Sequence, residues 1–191
     1  MKQLLKLSRL IDATSERIAG GAMWLIPVAA LLATGNAVAG MFGHGTNALT
    51  ETQYHLFAAV VMLCGANVLR QRGHVHIDLL SRLFSRKTTA VMEIVGMLLI
   101  LAPVVLFMTD MSLPQAIEKF LSGEGSGNAD GIPLRTLYMT VPLGFALLGI
   151  QGISEIIKLV GFLNGECEDP ATPEKSDEEA LIDELQNGGA K

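Results

Sequence analysis

The sequence predicts an all-α, polytopic membrane protein with four transmembrane helices, interfacial amphipathic helices beside them and both termini in the cytoplasm. Three observations lead there. Half of the 191 residues are apolar, and they fall in four long blocks nearly free of charge. Each block is long enough, as a helix, to cross a hydrocarbon core ~30 Å thick. Between the second block and the third lies a short basic stretch, Arg70–Lys87, that carries five of the fourteen Lys and Arg residues: Arg70, Arg72, Arg82, Arg86 and Lys87. The leader holds four more, whereas the other two connections hold none and one. Because Lys and Arg are retained on the cytoplasmic side, these counts select four spans with both ends inside.

The formal net charge of −5 hides two different regions. From Glu166 onward there are nine acids and two lysines, while the body before it carries twelve basic and ten acidic residues. That is a membrane body with a solvated acidic tail rather than an acidic protein seeking a basic partner. Cys64 lies in an apolar block and Cys167 in the tail, so neither a disulfide framework nor a zinc-type spacing is present. No nucleophile–base pair, phosphate loop or nucleic-acid surface emerges, and no enzyme activity or cofactor is expected.

Taken in order, residues 1–17 read as an amphipathic leader. Leu4, Leu7, Ile11 and Ile18 repeat at helical spacing, with Lys2, Lys6, Arg9 and Glu16 toward the other side. Such a helix belongs in the headgroup layer. The competing reading, a signal peptide cleaved near residues 37–40, fits poorly with so long a charged leader and an apolar run of spanning length. The transmembrane domain is 18–163, with spans at about 18–42, 52–69, 88–109 and 133–163. Pro27 inside the first span is tolerable in lipid. Within the basic stretch, Ile77, Leu79, Leu80, Leu83 and Phe84 share one face, which predicts a short interfacial helix. Residues 110–132, with four acids against Lys119, predict an external loop with a flexible Gly- and Ser-rich core. Pro133 opens the fourth span, where its missing N–H costs nothing. Residues 164–191 predict a disordered tail, with a short helix around Asp177–Leu185.

Two motifs carry a family resemblance. R-x-R-x-H-V-x-I-D closes the second span with Arg70, Arg72, His74, Val75, Ile77 and Asp78. G-E-x-S-x-N-A-x-G-I-P-x-R runs from Gly123 to Arg135, with V-P-L-G-F at Val141–Phe145 and L-L-G-I-Q-G-I-S at 147–154 behind it. In a four-span chain, this pattern resembles the small (DctQ-like) membrane subunit of tripartite ATP-independent periplasmic (TRAP) transporters over residues 5–160. The resemblance implies an accessory permease subunit of a sodium-coupled importer of an organic acid. It implies two protein partners, a large membrane subunit holding the substrate and sodium sites and a periplasmic substrate-binding protein. The small subunit itself has no substrate site and packs on the large subunit's scaffold.

On that basis the residues expected to touch the large subunit or phospholipid are Arg70, Arg72, His74, Asp78, Arg82, Glu93 and Arg135. Each has an alternative role. The basic groups are sufficient as topology and headgroup anchors, at about 1 kcal/mol each. Asp78 can cap a helix start, and Glu93, the one acid well inside an apolar block, can pair with a nearby Arg or Lys. Glu155 and Lys158 sit three apart and can pair, and Asn36, Asn67 and Gln151 can hydrogen-bond between helices. Two rival classes fit four apolar spans: a haem-carrying redox subunit and a small self-oligomerising transporter. His74 and His76 diverge by roughly 200° on a helix and cannot share a metal there, which counts against haem. Transport by this chain alone in liposomes would mark the second rival.

Overall fold

Proline sets the interruptions in the helices that form. In the computed structural model, which describes residues 2–71 and 85–170, α1 spans Lys2–Met23 and α2 spans Leu25–Met41. Pro27 lies in the first turn of α2. Its ring opposes the carbonyl four residues back, that of Met23, and the helix breaks between them at Trp24. The chain is therefore helical straight through residues 17 and 18, where the leader was expected to give way to the first span. Next, α3 covers Asn47–Arg70, and the Thr46 hydroxyl caps its start by accepting from the Leu49 N–H.

The third block is one long segment made of α4 (Arg86–Gly96), a π-helical turn (Met97–Leu101) and α5 (Ala102–Ser122). Pro103 has no N–H to offer the Leu99 carbonyl, and the π-turn spans that irregularity. The last helix, α6, is Arg135–Leu163. Among the described residues, four helical stretches are long and apolar enough to cross a membrane: Lys2–Met41, Asn47–Arg70, Arg86–Ser122 and Arg135–Leu163.

The expected 110–132 loop is shorter than its charges suggested. Residues up to Ser122 continue α5, through Pro114. The acids Asp110 and Glu118 are exposed on that helix beside exposed Met111, Leu113 and Ile117, so they mark a helix face rather than a chain break. What remains of the connection, residues 123–134, closes into a hairpin. Ser126 N–H donates to the Ile132 carbonyl and Leu134 N–H to the Glu124 carbonyl, both at 3.1 Å, and Gly125 bridges Pro133. The predicted interfacial helix after Gln71 and the tail from residue 171 onward lie outside the described residues, as do Arg72, His74, Asp78 and Arg82.

Packing is linear. Among the described residues α2 lies on α3, α3 on α6, and α6 on α5, while α1 fills the angle between α3 and α6. The row α2–α3–α6–α5 does not close on itself into a bundle. Its seams are lined by small side chains: Ala19, Ala22, Ala29, Ala66, Ala90 and Ala116 are all buried. Large ones such as Leu31, Leu99, Ile100, Leu106 and Phe107 point outward, each at least 60 % exposed. That inversion of a soluble core is expected where lipid covers the surface and helices associate by close approach. The glycines of α6 serve the same end. A Cβ at Gly144 would lie 2.6 Å from Met62 Cβ, and one at Gly149 would lie 2.9 Å from Val105 Cγ1.

Candidate functional site

Among the described residues, the polar contacts that join distant segments gather into three clamps. The first joins α1 to α6 at the basic end. On α1, Ser8, Asp12 and Ser15 repeat at four and three residues; on α6, Gln151, Ser154, Glu155 and Lys158 do likewise, so two polar stripes meet antiparallel. Asp12 is the hub. It accepts from Gln151 Nε2 at 2.7 Å, the Ser154 hydroxyl at 2.9 Å and Lys158 Nζ at 3.0 Å. Lys158 also pairs with Glu155. Ser15 donates to Gln151 Oε1 at 2.7 Å, and the Ser8 and Ser154 hydroxyls are 2.7 Å apart. Gln151 and Glu155 are 0 % and 1 % exposed.

This clamp turns the leader around. Leu4, Leu7 and Leu10 are exposed while Ser8 and Ser15 are buried. In lipid an apolar face needs no protein partner, whereas a hydroxyl or carboxylate does. The paired polar stripes are a signal that the residue order contained, and it would have identified Asp12, which the reading by apolar periodicity passed over. Beside the clamp, Arg70 donates from Nε to Asn67 Oδ1 at 3.0 Å and lies 3.4 Å from Glu16 Oε1.

The second clamp gathers Arg86. Its Nε and Nη2 fork onto Asp169, with 2.7 Å for the Nη2 arm, and Nη1 donates to Glu93 Oε1 at 2.9 Å. The guanidinium also stands 5.7 Å over the Phe162 ring. Glu93 is thus paired within its own chain, as its distance from the basic stretch suggested. The Cys167 thiol donates to the Lys158 carbonyl, and burial followed by the neighbouring Glu166 carboxylate pushes that thiol's pKa up, so it stays protonated as a donor.

The third clamp is at the opposite end. Glu51, in the first turns of α3, accepts from the Ser126 hydroxyl, from Asn128 Nδ2 at 2.6 Å and from Ile132 N–H at 2.9 Å. Asn47 Nδ2 donates to the Ala129 carbonyl at 3.0 Å. These contacts give the second motif a physical meaning: its Ser and Asn are the donors, and its Gly131 is packed so tightly that a Cβ would fall 2.5 Å from that of Ser126. Asn36 holds the neighbouring turn, bonding both Thr46 backbone groups and the Thr50 hydroxyl. Arg135, at the start of α6, is exposed and forms no ion pair among the described residues. Glu51→Ala should raise hydrogen exchange across 123–134 at least tenfold and leave the four spans protected; hydrogen-exchange mass spectrometry checks this.

Of the seven expected contact residues, the structure therefore places three: Arg70 in the first clamp's surroundings, Glu93 in the second clamp and Arg135 beside the third. It does not bring them together. Compared with known families, the chain matches the model described as tripartite ATP-independent periplasmic transporters, DctQ component, over residues 32–161. No curated protein and no solved structure matches it.

Proposed function

The chain belongs to the DctQ component family of tripartite ATP-independent periplasmic transporters, and from that premise we propose that it is a brace that widens the fixed scaffold of its large partner. The family is a transporter component and not an enzyme, and it works with a large membrane subunit and a periplasmic binding protein. We take the transported species to be an organic acid moved with sodium, and the location to be an inner membrane with both termini cytoplasmic. The observation that carries the bracing role is the open row of helices, small-lined at its seams and large-lined outside. A self-contained carrier needs a polar path through its own core. Among the described residues, the groove beside the π-turn is lined by Leu101, Val105, Gly149 and Ile153, none of which can hold a carboxylate, and the buried polar side chains between α1 and α6 are bonded to one another.

Within this reading α1 stands along the cytoplasmic end of α6, its Leu4, Leu7 and Leu10 face toward the acyl chains and its basic residues toward phospholipid headgroups. Arg70, Arg72 and Arg82 anchor the cytoplasmic end, and His74, Asp78, Glu93 and Arg135 are candidate contacts to the large subunit. The clamped hairpin at 123–134 is the platform offered to the binding protein. Reading the assembly requires two measurements in the native host. Purification in mild detergent should bring down a multi-span partner, and deletion of this chain should abolish uptake. Full uptake without it would remove the bracing role. Glu51→Ala should lower uptake while leaving the purified complex intact; unchanged uptake would remove the platform role alone.

A further inference from the structure

The long third segment is built to bend in its middle, and its two arms are held differently. The π-turn at Met97–Leu101 and Pro103 just after it interrupt the regular hydrogen-bond ladder between α4 and α5. α5 packs along α6, with Val105 against Gly149 and with Ala116 fully buried. α4 meets α6 only sparsely. At the first turn of α4 the attachment becomes polar. After α6 the chain reverses at Gly165 (φ +73°) and returns through Cys167, whose thiol bonds the Lys158 carbonyl. It then delivers Asp169 to the fork on Arg86 at the first turn of α4. Glu93 and the Phe162 ring hold the guanidinium in the orientation that the fork needs.

We propose that Asn164–Pro170 is a strap that holds α4 against α6, and that opening the Arg86–Asp169 fork lets α4 swing about the π-turn while α5 stays docked. This goes beyond the bracing role and stands whether or not that role survives. A forked guanidinium–carboxylate pair is directional and strong for its size. Both side chains nevertheless remain partly exposed, at 30 % and 19 %, so water and salt reach the pair and it can open. The device would let the basic end change the shape it offers to a neighbour without unfolding the rest of the row.

The test uses the full chain, purified with its membrane partner, in a Cys64→Ala, Cys167→Ser background; serine keeps the donor at 167. Ala90 on α4 and Ala116 on α5 are both 0 % exposed, so Ala90→Cys reports on the swinging arm and Ala116→Cys on the docked one. With Asp169→Asn or Arg86→Gln, maleimide labelling at position 90 should rise at least tenfold and labelling at 116 should not change. Asp169→Glu should restore slow labelling. An unchanged rate at 90, or equal rises at 90 and 116, would overturn the strap. Hydrogen exchange on the chain with its native cysteines and the same Asp169→Asn change gives a second reading: faster exchange confined to α4 supports the strap, and exchange spread over α5 or absent from α4 rejects it.

Discussion

Gly144→Leu is expected to leave the chain without a folded α3–α6 seam. The added Cβ alone would lie 2.6 Å from Met62 Cβ and 3.0 Å from the Met62 carbonyl oxygen, and that oxygen belongs to the backbone of α3, so no rotamer change relieves it. Overpacking a core by side-chain contacts costs about 1–3 kcal/mol. A clash with backbone in the seam joining the two central helices should reach the upper end of that range or exceed it. Unfolding titrations in mixed detergent and the monodisperse fraction after purification measure the effect. The contrast that makes the result specific is Gly35→Ala and Gly96→Ala. Both glycines are helical with open space where a Cβ would go. Relief of glycine's helix penalty should make these changes neutral, or stabilising by up to about 1 kcal/mol. Should Gly144→Leu and Gly35→Ala behave alike, close approach is not what holds the row together.

Asp12→Ala should release α1 from α6 while the other helices stay in place. It removes the acceptor shared by Gln151, Ser154 and Lys158. Single interhelical hydrogen bonds in membranes contribute about 0.6–1.7 kcal/mol, and stranding one member of a fully buried ion pair costs about 3–5 kcal/mol. Asp12 and Lys158 keep 18 % and 19 % of their side-chain surface exposed, and Lys158 retains Glu155. A loss of about 2–3 kcal/mol is therefore the expected outcome. Hydrogen exchange should quicken throughout Lys2–Met23 and stay unchanged in α3. A loss below about 0.5 kcal/mol, within the range of ordinary surface changes, would mean that the leader is held by lipid and not by its polar stripe.

These two sites differ in how far residue order reveals them. Glu155 with Lys158 and the pairing of Glu93 were readable from spacing, because helical periodicity fixes which positions on one helix are neighbours. Gln151 and Asn36 stood out as polar groups within apolar blocks. Asp12 was harder. The apolar repeat of Leu4, Leu7, Ile11 and Ile18 drew attention to the face that lipid can satisfy, and the stripe that needs a protein partner was the quieter signal. Glu51, Ser126 and Asn128 lie 75 and 77 residues apart. No local pattern connects a carboxylate at a helix start with the donors of a distant hairpin.

Local composition decided the fold class and the four helices long enough to cross a membrane, because burying backbone polar groups in lipid leaves a long apolar block little choice but to be a helix, while the two motifs carried the family. The charge count misplaced a chain break at Asp110–Ser122, where acids on an exposed helix face imitated a loop. Tertiary packing decided the rest: the open row, which glycine meets which backbone, the inward turn of the leader's polar side and the return of Asp169 to Arg86. Each of those depends on which surfaces meet across tens of residues. In an apolar solvent, helices are brought together by shape and by a few hydrogen bonds, and even a periodic polar stripe on one helix does not say which distant surface it meets.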